Sequence, residues 1–201
     1  CIKEYSKAIS IEEDPIQIAN RGRVYKKNKE YDKAIIDFSK AIELEPSSTY
    51  YEYRSYCYIE MEDYTNALKD LDKAIEESPE DAYFYNNRAD FYKNYLDNEE
   101  LALADYAIAI KISDDDYQTT RAINNRANIY WSQEKWDLCI EEYSKAILTE
   151  EDPIQIGNRG RVYKFIKEYD KAIIDLSKAI ELEPSSTYYE YRADCYIEME
   201  D

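Results

Sequence analysis

The chain has 201 residues, 44 % of them apolar, with 26 basic against 44 acidic side chains and a formal net charge of -18. That surplus of acid excludes the basic footprint that nucleic-acid phosphates require, and an anionic bilayer surface repels it. Histidine is absent and the three glycines, Gly22, Gly157 and Gly160, build no phosphate-cradling loop, so the commonest general base, the commonest metal ligand and nucleotide cradles are all missing.

These absences argue against an enzyme, a cofactor and a metal site. No apolar run approaches the ~18 residues needed to span a bilayer, so membrane insertion is not expected. No secretory signal is visible, and the chain begins at Cys1 rather than Met. The compartment is left unassigned, with the cytoplasm favoured.

In chain order, residues 1–13 read as one helix, with Cys1, Tyr5 and Ala8 at i, i+4 and i+7 on a common face. Asp14-Pro15 opens the next helix as an N-cap followed by a first-turn proline. Ala34, Phe38 and Ala41 then repeat the small–aromatic–small spacing, and Pro46 ends that helix. Ser47-Ser48 are N-cap candidates for the following helix. Ala67-Leu71-Ala74 and Ala102-Tyr106-Ala109 continue the pattern, with Pro79 as a stop between them. Residues 113–120, SDDDYQTT, read as a longer, solvated loop without the ligand spacing of a calcium site. Cys139-Tyr143-Ala146 and Ala172-Leu176-Ala179 complete the series, with Asp152-Pro153 and Pro184 as punctuation.

Two periods organise these elements. Residues 139–201 repeat residues 1–63 with nine differences, which reads as a tandem duplication. Within it, arginine recurs at Arg21, Arg54, Arg88, Arg126, Arg159 and Arg192, spaced by 33, 34, 38, 33 and 33 residues. A small residue follows each arginine, and a tyrosine stands four residues after it. One position before each second-helix aromatic or leucine stands an acid: Glu4, Asp37, Asp70, Asp105, Glu142 and Asp175. Arginine suits planar, bidentate carboxylate pairing, so arginines and acids recurring in phase predict ion pairs between helices. The alternative is that both rows are simply solvated.

The segment NRGRVYKKNKEYDKAIIDFSKAIELEP at 20–46 resembles the tetratricopeptide repeat, a helix-turn-helix unit of about 34 residues. The resemblance covers the whole chain. It departs from the family pattern in placing arginine before the small residue and in one extra residue between the helices of the third unit. It implies an all-α, right-handed superhelical solenoid of antiparallel helix-turn-helix repeats. The expected organisation is a lone second helix over 1–13, repeats at about 14–47, 48–81, 82–117, 118–151 and 152–185, and a lone first helix over 186–201. Bare faces at both ends, such as Cys1, Tyr5 and Ala8, also raise end-to-end association with other copies.

By the same resemblance, first helices line a concave groove that holds a peptide or protein segment. Transferred by position, the candidate groove residues are Asn20, Arg23, Tyr53, Tyr56, Asn86, Asn87, Asp90, Asn124, Asn125, Asn128, Asn158 and Arg161. An asparagine amide both donates and accepts, which suits a peptide backbone of any sequence. The competing reading is hydrogen bonding between neighbouring first helices. The position from which relatives clamp a terminal carboxylate with lysine holds no lysine here. The four cysteines read as small packing thiols without zinc spacing. The function expected is therefore a protein–protein interaction scaffold; the alternative is a structural protein whose arrays associate end to end into a filament or tube.

Overall fold

A computed structural model describes residues 1–149 and 151–200. The described residues form twelve α-helices and no strand. They are α1 (Ile2–Ile11), α2 (Pro15–Lys27), α3 (Tyr31–Leu44), α4 (Ser48–Glu60), α5 (Tyr64–Glu77), α6 (Ala82–Tyr95), α7 (Glu99–Ile112), α8 (Asp116–Ser132), α9 (Trp136–Thr149), α10 (Pro153–Phe165), α11 (Tyr169–Leu182) and α12 (Ser186–Glu200). No described helix is long and apolar enough to cross a membrane.

The chain divides into two compact units, one ending at Ser113 and one starting at Asp114. In the first, α2–α3, α4–α5 and α6–α7 are the closest-packed pairs, and α3–α4 and α5–α6 join successive pairs. In the second, α8–α9 and α10–α11 form the pairs, α9–α10 and α11–α12 join them, and α10 also touches α12. Within each unit, consecutive helices thus pack on one another, as a stack of hairpins requires.

The small–aromatic–small faces form the core. Ala34, Phe38, Ala41, Ala67, Ala74, Ala102, Tyr106, Ala109, Cys139, Ala172, Leu176 and Ala179 have no exposed surface. In one cluster Phe38 and the flanking alanines pack against Ile18, Ala19 and Cys57, with Tyr25, Tyr31, Tyr50 and Tyr53 at the margin. Gly22 lets α2 approach α3 closely: a Cβ there would sit 2.8 Å from the Phe38 ring. Three cysteines are buried, whereas Cys1 is exposed.

Aspartates start most of the first helices. The carboxylates of Asp14, Asp81, Asp115 and Asp152 accept hydrogen bonds of 2.8–3.0 Å from the backbone N–H two residues on. This corrects the reading of 113–120 as a loop. The Asp115 carboxylate caps α8, so helix begins at Asp116 and takes in most of the segment. Ser47 occupies the N-cap of α4 but makes no capping bond through its side chain.

The turns inside the hairpins share one device. Lys29, Glu62, Asp97, Glu134 and Lys167 have φ between 49° and 63°. After α2, the Glu30 N–H donates to the Tyr25 carbonyl at 2.9 Å and the Lys29 N–H to that of Lys26. This is the paired-bond helix ending in which a left-handed residue reverses the chain. Its 6→1 bond recurs from Asp63 to Tyr58, Lys135 to Tyr130 and Glu168 to Tyr163.

Candidate interaction surface

Five of the six recurrent arginines make the ion pairs that the phase of the sequence predicts. Among the described residues, Arg192 bonds only Ser177, and Glu4 pairs with Lys7. Arg21 donates from Nε and Nη2 to both oxygens of Asp37 at 2.8 and 2.7 Å. Arg54–Asp70, Arg88–Asp105 and Arg159–Asp175 repeat this fork with every bond between 2.7 and 2.8 Å. Arg126 reaches Glu142 at 2.8 Å through Nη1. All five acids are buried. Burial pushes the Asp70 carboxyl up, against the Arg54 bonds that pull it down.

Except in Arg126, a further arm of the guanidinium reaches the second helix before it. Nη1 of Arg21, Arg54, Arg159 and Arg192 donates to Ser6, Ser39, Ser144 and Ser177 respectively, at 2.8–3.1 Å. In Arg88 the acceptor is Asp72 at 2.7 Å. One first helix is thereby pinned both to its own second helix and to the second helix before it. The sequence reading overlooked this partner. Its signal was present: a hydroxyl or acid directly follows most of the second-helix aromatics and leucines.

The first helices present the expected polar face, with local differences. In the first unit, Glu52, Tyr56, Tyr83, Asn87, Asp90 and Tyr95 line a cleft of about 240 Å³ between α4 and α6. The Tyr83 hydroxyl donates to Glu52 at 3.2 Å, and burial pushes the Glu52 carboxyl up. The Tyr106 hydroxyl, from the core, donates to Asp90. On α2, Arg23 lies 5.5 Å from the Tyr53 ring and donates to Asn20 at 3.3 Å. Lys26 sits 4.9 Å over Tyr53 and 4.5 Å over Tyr56, within cation–π range.

In the second unit, Asn128 and Trp131 of α8 and Arg161, Lys164 and Phe165 of α10 line a cleft of about 410 Å³. The Arg161 guanidinium lies 5.0 Å from the Trp131 ring. Trp131, Trp136 and Phe165 form a cluster with ring centroids 4.7–4.9 Å apart. Lys164 is ion-paired with Asp194 of α12.

The expected groove residues therefore separate into kinds. Tyr56, Asn87, Asp90, Asn128 and Arg161 line the two clefts. Asn158 donates to Asn124 at 3.1 Å, so for this pair the amides bond one first helix to the next. Asn125 is half-buried on the same helix. Tyr53 is half-buried against Phe38, with ring centroids 5.5 Å apart. Asn86 is a correction: it has no exposed surface and takes no place in a groove. Asn86 and Asn87 point about 100° apart around the helix axis, so only one of them faces outward. Sequence reasoning missed Tyr83 and Tyr95, and also Trp131 and Phe165. Phe165 and Ile166 replace Lys27 and Asn28 of the first copy, two of the nine differences between the duplicated blocks.

Comparison with known proteins agrees with this architecture. Profiles described as tetratricopeptide repeat match residues 18–48, 49–81 and 156–186. No curated protein sequence matches the chain significantly. Among solved structures, the chain is similar to YrrB, described as a TPR protein with an unusual peptide-binding site. The TM-score is 0.63 at 21 % identity, covering 96 % of this chain and 100 % of that one. It is also similar to the C-terminal part of a TPR repeat-containing protein from Cytophaga hutchinsonii, at TM-score 0.68 and 24 % identity over 88 % of this chain and 69 % of that one. MamA matches at TM-score 0.64 and 20 % identity over 88 % and 95 % of the respective chains. At these identities the likeness is one of fold. Helix pairs, repeat length and matching profiles together place the chain in the tetratricopeptide repeat family.

Proposed function

We propose that the chain is a protein–protein interaction scaffold that holds a peptide or protein segment in a groove along its first helices. The observation that carries this reading is the pair of clefts on first-helix faces, each combining aromatic surface with amide and charged side chains. Sites that bind peptides need apolar area for affinity and a few polar groups for orientation. The likeness to YrrB, a protein described as having a peptide-binding site, points the same way.

Selection from a random peptide display library against the purified chain tests the reading. Peptides recovered in this way are expected to lose about tenfold or more in affinity, some 1.4 kcal/mol, when Tyr56→Ala or Asn87→Ala is introduced. Ile36→Ala and Ile174→Ala alter exposed side chains of second helices and are expected to leave binding unchanged. The reverse pattern would overturn the groove assignment.

A further inference from the structure

Of the two cations that line the cleft of the second unit, one has no acid partner among the described residues. The ladder arginines of complete hairpins each hold an acid, and Lys164 holds Asp194. Arg161 makes no ion pair among the described residues, and its Nε is buried without a hydrogen-bond acceptor. Its guanidinium lies over the Trp131 ring and near Cys139 and Tyr143, none of which is an acid. In a chain with 44 acids against 26 basic residues, such a charge is conspicuous. A buried donor with no acceptor costs free energy, and a carboxylate is the acceptor that a guanidinium binds best.

Apolar surface adjoins this charge. Phe165 is 56 % exposed although it belongs to the Trp131–Trp136–Phe165 cluster. The corresponding position of the first copy is Lys27, so that copy lacks the aromatic wall. The cleft of about 410 Å³ falls within the size range of ligand sites.

We propose that the α8–α10 cleft is a subsite for an acidic–aromatic peptide segment, one carboxylate pairing with Arg161 and the adjoining bulky side chain stacking on Phe165 and Trp131. This rests on the reading of the first-helix face as a binding surface. A positive cleft in an otherwise acidic protein discriminates by charge: acidic segments are repelled elsewhere and retained here.

Both tryptophans of the chain belong to this cluster, so intrinsic fluorescence reports on the site directly. Three synthetic peptides of equal length, spaced with Gly and Ser and blocked at both ends, serve as probes. They carry Glu-Phe-Glu, Lys-Phe-Lys or Glu-Ala-Glu. The first is expected to change tryptophan emission saturably, and the other two to bind at least about tenfold more weakly. Added salt is expected to weaken the first titration on the unaltered protein. Arg161→Gln, checked for native helicity by circular dichroism, is expected to weaken it about tenfold.

Equal binding of the lysine peptide, or unchanged binding to Arg161→Gln, would overturn the proposal. Display-selected peptides that lack an acid beside an aromatic and leave tryptophan emission unchanged would also overturn it, with the scaffold reading intact. If no peptide engages either cleft, both readings fall.

Discussion

Glu52 shows how burial sets the chemistry of single side chains on the first-helix face. Its carboxyl is pushed up chiefly by desolvation, with Lys26 and the Tyr83 hydroxyl pulling the other way. A carboxyl whose folded value lies above its unfolded value destabilises the fold when ionised. The penalty is absent below the unfolded value and fully present once pH exceeds the folded one. Glu52→Gln is therefore expected to stabilise the protein near neutrality by a fraction of a kcal/mol up to about 1 kcal/mol. The gain should vanish below the ordinary glutamate range. Urea denaturation of both proteins at the two pH values checks this. Burial acts likewise on the thiols, pushing Cys57 up to about 12 and Cys139 to about 11. Both stay protonated and inert at neutral pH, as expected of the packing thiols read from the sequence.

Among helices, the arginine fork is the principal polar tie. Removing one partner of a buried pair strands the other, whereas replacing both with apolar groups of similar size is tolerated. Arg54→Met is thus expected to cost roughly 3 kcal/mol, because Asp70 is left buried without its guanidinium. The double variant Arg54→Met/Asp70→Leu is expected to recover most of that loss, read as a double-mutant cycle in urea. Additive losses would show that the fork does not couple the helices. The turns offer an opposite test. Lys29 at φ 61° and Lys167 at φ 63° occupy a conformation that costs side-chain-bearing residues about 1 kcal/mol and glycine almost nothing. Lys29→Gly and Lys167→Gly are expected to raise stability by up to about 1 kcal/mol each, measured by thermal denaturation.

At the scale of the molecule, the sequence made the all-helical hairpin pattern legible because repetition multiplies weak signals. A single Ala-x-x-x-Phe-x-x-Ala spacing is ambiguous, but six in phase with six arginines are not. The acids that meet the arginines were legible for the same reason. The serines that meet the third arm were not, since their role depends on how one hairpin sits on the next. The binding face was legible only in outline. Adjacent asparagines such as Asn86 and Asn87 look alike in sequence, and helix rotation alone decides which is buried. The Trp131–Trp136–Phe165 cluster breaks the repeat, so periodicity cannot announce it. The central claim is that partners lie along the first helices. The most direct measurement places a photo-cross-linking residue at Asn87 or Asn128, or at exposed Ile36 or Ile174 on second helices, and adds a display-selected peptide. Capture from positions 87 or 128, with none from 36 or 174, is the predicted result. Capture from the second-helix positions alone would contradict the account.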